Sequence, residues 1–120
     1  MWVSAFAVLA GGRVASGSLD NTIKLRNLAD PVCEATLKGH SKVVLALAGL
    51  PDGRLASGSS DNTVRVWQIS KERWTSVVRF VADAGIGALA YAACSGVLAA
   101  GDLSGRVHFL KVETAAPLPT

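Results

Sequence analysis

His40, Ser57 and Asp61 are the residue types of a hydrolytic triad, in which an imidazole takes a hydroxyl proton and a carboxylate orients the imidazole. Ser57 lies in Leu55-Ala56-Ser57-Gly58-Ser59, which is not a Gly-x-Ser-x-Gly elbow, and no oxyanion hole is evident. A hydrolase built on these three residues therefore stands well behind a structural use of the same side chains. Gly85-Ile86-Gly87-Ala88-Leu89-Ala90 matches a dinucleotide fingerprint in letters but lacks its strand-turn-helix context. His108 has no partner ligand at metal-binding spacing and reads as a solvated strand residue. No Gly-Lys-Ser or Gly-Lys-Thr phosphate loop occurs. These patterns predict no cofactor, no metal and no enzymatic activity.

The elements that position these residues recur. GRVASGSLDNTIKLRNL at 12–28 and GRLASGSSDNTVRVWQI at 53–69 are offset by 41 residues and identical at nine of seventeen positions. A fixed period of roughly 40 residues marks an array of equivalent supersecondary units. Within 63–69, Val64 and Val66 fall on one face and Thr63, Arg65, Trp67 and Ile69 on the other, the period of a pleated strand. Short β-rich runs separated by Gly, Asp-Gly, Asp-Asn and Pro signals give strands at 43–49, 54–59, 63–69 and 74–80 in the second unit. Pro51-Asp52-Gly53 and Ser60-Asp61-Asn62 supply its tight turns. Four antiparallel strands in this order make a propeller blade.

Composition adds only bounds. Half of the 120 residues are apolar, enough for a core. The net charge of +3 is spread over 12 Lys and Arg and 9 Asp and Glu with no basic run, so nucleic acid and anionic membranes are not expected partners. Cys33 and Cys94 are 61 residues apart, which suits buried free thiols in a reducing, cytoplasmic setting. The opening MWVSAFAVLAGG has no preceding basic residue and aligns with the apolar strand VVLALAGLPDG, so it reads as a strand rather than a signal peptide. The uncharged stretch 84–101 is interrupted by Gly85, Gly87, Ser95 and Gly96 and aligns with blade strands rather than a membrane span.

The run LASGSSDNTVRVW at 55–67, with Gly39-His40 upstream, closely resembles the WD-repeat β-propeller signature, with Trp67-Gln68 in place of the usual Trp-Asp pair. The resemblance implies that His40, Ser57, Asp61 and Trp67 form the family's structural tetrad. The first unit keeps Ser16 and Asp20 as a partial tetrad, but Arg26 stands at the Trp position and the expected Gly-His would precede Met1. In the third unit an offset of 43 puts Ala100, Ser104 and Leu110 at the Ser, Asp and Trp positions and Asp83 at the His. Asp102 falls opposite Ser59, so the network is expected to be lost there.

By resemblance, function comes from surfaces: a rigid, non-catalytic scaffold that binds a protein or peptide. Leu19, Lys42, Ser60 and Trp74 are the candidate partner-binding residues, although Trp74 fits the capping of an apolar edge better. The fold expected is all-β, an incomplete β-propeller of about three four-stranded antiparallel blades (about 1–38, 39–80 and 81–112), the third lacking its outer strand. Third-unit strands are expected near 86–92, 97–101 and 105–112, with a flexible tail at 113–120. Closed propellers need at least about four blades. The expected role is therefore a C-terminal piece of a larger WD-repeat protein; GDLSGRVHFLKVE is similar to the closing blade of signalling NTPases with WD-repeat sensor domains. The alternative is a small propeller that completes its ring by self-association.

Overall fold

The structure is a computed structural model that describes residues 3–9, 12–27, 33–70 and 73–112. Three antiparallel meanders contain all the strands among the described residues. The first sheet runs β1 (Val3–Leu9), β2 (Arg13–Ser18), β3 (Ile23–Asn27), β4 (Cys33–Leu37). The second runs β5 (Val44–Gly49), β6 (Leu55–Ser59), β7 (Thr63–Ser70), β8 (Arg73–Val81). The third runs β9 (Ile86–Ala92), β10 (Val97–Asp102), β11 (Val107–Lys111), with no fourth strand among the described residues. The protein is all-β, an incomplete propeller of three blades; no helix among the described residues is long and apolar enough to cross a membrane. Residues 113–120, read from sequence as a tail, lie outside the described residues.

Strand alternation builds two cores. Leu55 and Trp67 of the second sheet join Leu9, Ala15, Ile23, Leu25 and Leu37 of the first. Their neighbours Ala56 and Val64 point the other way and join Ile86, Leu98 and Ala100 of the third. Successive side chains on a strand face opposite sides, so consecutive residues Leu55 and Ala56 can both be buried, each in a different core. The stretch 84–101 contributes the β9–β10 hairpin to the second core.

The three turns joining β2–β3, β6–β7 and β10–β11 share one build. The amide of Asn21, Asn62 or Gly105 donates to the carbonyl of Ser18, Ser59 or Asp102 at 3.2, 3.1 and 3.0 Å. Each of those donors has left-handed φ, at 73°, 71° and 92°, a conformation that Asn and Gly adopt at low cost. This match places Asp102 opposite Ser59 and Ser104 opposite Asp61. The turn occupies 102–106, so β11 starts at Val107, later than the strand expected from 105.

Glycine sets the spacing between sheets. A Cβ on Gly17 would fall 2.7 Å from Val44 Cγ1, and one on Gly58 would fall 2.8 Å from Ile86 Cβ. Gly101, the equivalent in the third sheet, would meet Ala88 Cβ at 3.7 Å, an ordinary contact. Cys94 departs from the sequence expectation: it lies in the β9–β10 turn with an exposed thiol, because the hairpin reverses there instead of continuing into a core. The spacing argument predicts that Gly58→Ala lowers the unfolding free energy by about 1–3 kcal/mol through overpacking. Gly101→Ala should change it by less than about 0.5 kcal/mol. Urea denaturation of the two variants checks the contrast.

Candidate functional site

His40, Ser57, Asp61 and Trp67 meet in a continuous chain of hydrogen bonds. The loop after β4 carries His40, β6 carries Ser57, the β6–β7 turn carries Asp61, and β7 carries Trp67. Trp67 Nε1–H donates to Ser57 Oγ at 2.7 Å, and Ser57 Oγ lies 2.6 Å from His40 Nε2. His40 Nδ1 lies 2.9 Å from Asp61 Oδ2. Only one proton arrangement satisfies every atom: Nδ1–H donates to the carboxylate, and Nε2 of the neutral ring accepts the Ser57 hydroxyl proton. Asp61 Oδ2 also accepts from the Ser41 amide at 3.0 Å, and its Oδ1 accepts from the Thr63 amide and hydroxyl.

The electrostatics agree with a carboxylate facing a neutral imidazole. Burial pushes the His40 pKa below 6.5, although the bond to Asp61 pulls it upward. Burial tends to raise the Asp61 pKa, but the Thr63 hydroxyl, His40 and the Ser41 amide outweigh it and hold the value at about 2. The Ser–His–Asp distances are those of a hydrolase triad. However, Ser57 is fully buried, with its hydroxyl enclosed between the indole and the imidazole. A nucleophile must touch its substrate, and this one faces only protein.

The first sheet keeps part of the arrangement. Arg26 Nη1 donates to Ser16 Oγ at 3.4 Å, so a guanidinium supplies the donor that Trp67 supplies to Ser57. Asp20 Oδ1 accepts from the Thr22 amide and hydroxyl, and the Thr22 hydroxyl leads the bonds that lower its pKa.

The third sheet corrects two expectations. Its tetrad is absent, but a different polar network has taken its place. Asp102, at the position of Ser59, accepts from the Ser104 amide and hydroxyl and from the Arg106 amide through Oδ1. Its Oδ2 lies 2.8 Å from His108 Nε2. The Ser104 hydroxyl, followed by His108, holds the Asp102 pKa well below the usual carboxylate range. His108 is therefore not a solvated strand residue: it is half-buried, and its ring packs 4.6 Å from that of Phe80 on the neighbouring sheet. Its partner on the next sheet was not visible in sequence. No group of three or more metal-ligating side chains occurs among the described residues.

The candidate contact residues are dispersed. Leu19 is 47% exposed at the tip of the β2–β3 turn, and Lys42 is exposed before β5. Ser60 is half-buried, its amide bonded to the Val43 carbonyl at 3.0 Å. Trp74 on β8 packs against the first core, as expected of an edge cap. Leu103 belongs with this set. It is 67% exposed, and its amide bonds the Gly85 carbonyl as that of Ser60 bonds Val43. The alignment that set Ser104 opposite Asp61 would have revealed it.

Two outcomes follow from the network. Ser57→Ala leaves the Trp67 and His40 nitrogens without their shared partner and should cost about 1–3 kcal/mol in denaturant unfolding. Because both folded pKa values are depressed, the unfolded chain binds more protons on acidification, and stability falls as pH falls. The His40 contribution is complete above pH 6.5 and is lost as pH drops through its lowered folded value; the Asp61 contribution is lost between 3.8 and about 2. Urea melts across this range should show both losses, and His40→Gln should remove the upper one.

Residues 31–68 match the family model described as WD domain, G-beta repeat. That segment contains all four network residues. No curated protein matches the chain. Among solved structures, the computationally designed Ika8 protein, in its crystal packing No. 1 in P63, is similar at a TM-score of 0.77 and 27% identity over 98% of this chain. The chain spans 35% of that protein's length. The matched repeat, the hydrogen-bonded tetrad inside it, the three successive meanders and the likeness to the designed protein support a WD-repeat β-propeller, with residues 31–68 as its matched repeat.

Proposed function

We propose that the chain is a non-catalytic platform for a protein or peptide partner, working in the cytoplasm as part of a longer propeller. WD repeats generally mediate protein–protein interaction. The observation that carries the reading is the burial of the one triad-like constellation: Ser57 has no exposed surface, while Leu19, Leu103 and Lys42 project from the turns at one end of the blades. Leu19→Glu combined with Lys42→Glu should weaken capture of peptides selected on the native chain by at least about tenfold, without shifting the melt. Unchanged capture by the double variant would remove this rim from the binding role. A fluorophosphonate probe should leave Ser57 unlabelled; Ser57-dependent hydrolysis would restore the enzyme reading.

Self-association is a second reading, supported by open sheet faces. Ala48, Ala56, Val64 and Val66 of the second sheet pack on the third. Their counterparts Ala90, Ala99, Val107 and Phe109 face away from any described sheet, with Phe109 72% exposed. At the opposite end Phe6 and Val8 are 67% and 71% exposed. Such faces fit further blades of a longer chain or a second copy joined head to tail. Light scattering decides for the isolated chain: a monodisperse dimer supports assembly, and a folded monomer excludes it.

A further inference from the structure

β8 is the last strand in the order of the second sheet, so one of its edges has no strand beside it among the described residues. It is also the longest described strand, nine residues from Arg73 to Val81. Along such an edge every second residue turns its N–H and C=O away from the sheet, where another chain can pair with them. Trp74 to Val78 pair with Ile69 to Arg65 without interruption, which gives the edge a regular stretch. Beyond it the register shifts and Arg79 becomes the extra residue of a bulge, a feature that ends pairing.

Both faces of this stretch are open. Cross-strand neighbours share a face, so Val78 beside Arg65 lies on the side of Trp67, toward the first sheet, and Val77 beside Val66 lies toward the third. They are 41% and 61% exposed, whereas the adjacent residues Leu55 and Ala56 of β6 are both fully buried. The first sheet has its outer strand β4 in place and still leaves Val78 open. The sequence of the strand, RWTSVVRFV, is rich in β-formers, contains no Pro, Gly or acidic residue, and carries an arginine at or near each end. Those charges select the occupant. Antiparallel pairing with a second copy brings the arginine of one β8 close to that of the other with no carboxylate to offset them, whereas a strand with acidic ends complements both.

We propose that the outer edge of β8 binds an extended segment of a partner protein as an added antiparallel strand, with β-branched residues beside Val77 and Val78 and a carboxylate beside Arg79. This second surface shares no residue with the rim of Leu19, Lys42 and Leu103. The probe is the peptide acetyl-Glu-Val-Val-Thr-Thr-Val-Glu-amide, matched to residues 73–79 and titrated into the isotope-labelled 120-residue chain. The expected result is saturable one-to-one shifts centred on the amides of Trp74 to Val78, with hydrogen exchange slowed at alternate positions. Two further peptides, N-methylated at odd or at even positions, separate strand pairing from apolar adhesion. The one whose methyl groups face β8 loses its main-chain bonds and should bind at least about tenfold more weakly than the other. Lys in place of both Glu residues should weaken binding at least about threefold. Equal binding by the two methylated peptides, equal binding by the Lys peptide, shifts centred elsewhere, or no saturable shift would overturn the inference. β8 shifts that depend on chain concentration without peptide would assign the edge to a second copy and overturn it too. Leu19→Glu combined with Lys42→Glu should leave the titration unchanged. If the peptide fails while rim-dependent capture persists, the edge inference falls and the platform reading stands.

Discussion

Burial of both faces of the central sheet is the constraint on which the rest of the structure depends. A sheet of small and medium apolar residues cannot leave either face in water without losing most of its hydrophobic stabilisation. In β6, Leu55 packs toward the first sheet and Ala56 toward the third, so one strand contributes to two cores. The close approach this demands explains glycine at positions 17 and 58, where a methyl group would collide with Val44 or Ile86. It also explains why Gly101, on a face with no sheet against it among the described residues, meets no such crowding.

The polar network has meaning only inside that frame. Trp67, Ser57, His40 and Asp61 come from three strands or turns and the loop that enters the blade, and their bonds fix the relative positions of these pieces. The same three residue types at the same distances would suit acyl transfer if the hydroxyl faced a cleft. Here the hydroxyl is enclosed, and the imidazole is kept neutral by burial rather than poised to accept a substrate proton. Solvent access, not residue identity, separates the structural use from the catalytic one.

The three blades show how such a network drifts. In the first, Arg26 retains the donor to Ser16 while losing the flat apolar bulk of Trp67. In the third, Ala100 and Leu110 remove the polar chain, and Asp102 takes over the bracing of the turn through the Ser104 and Arg106 amides. His108 then joins that carboxylate to Phe80 on the second sheet, a link between blades, as Trp67 of the tetrad reaches the core shared with the first sheet. Each change preserves satisfied polar groups around the turn, which is where an orphaned atom would be most costly.

Much was legible in the residues alone. The 41-residue repeat, the two-residue alternation of TVRVWQI and the Asp-Asn turns were sufficient for the strand order and the blade architecture, because these depend on local periodicity and short-range turn chemistry, whereas the tetrad came from the family resemblance of LASGSSDNTVRVW and Gly39-His40. The alignment of Gly53 with Gly96 even placed Ser104 and Asp102 correctly. Tertiary structure alone decided what those residues face. Whether Ser57 is sealed, whether His108 meets Phe80 and whether Asp20 opens on a cleft all depend on which neighbouring sheet arrives, and at what distance. Those contacts join residues far apart in the chain, and no local pattern encodes them.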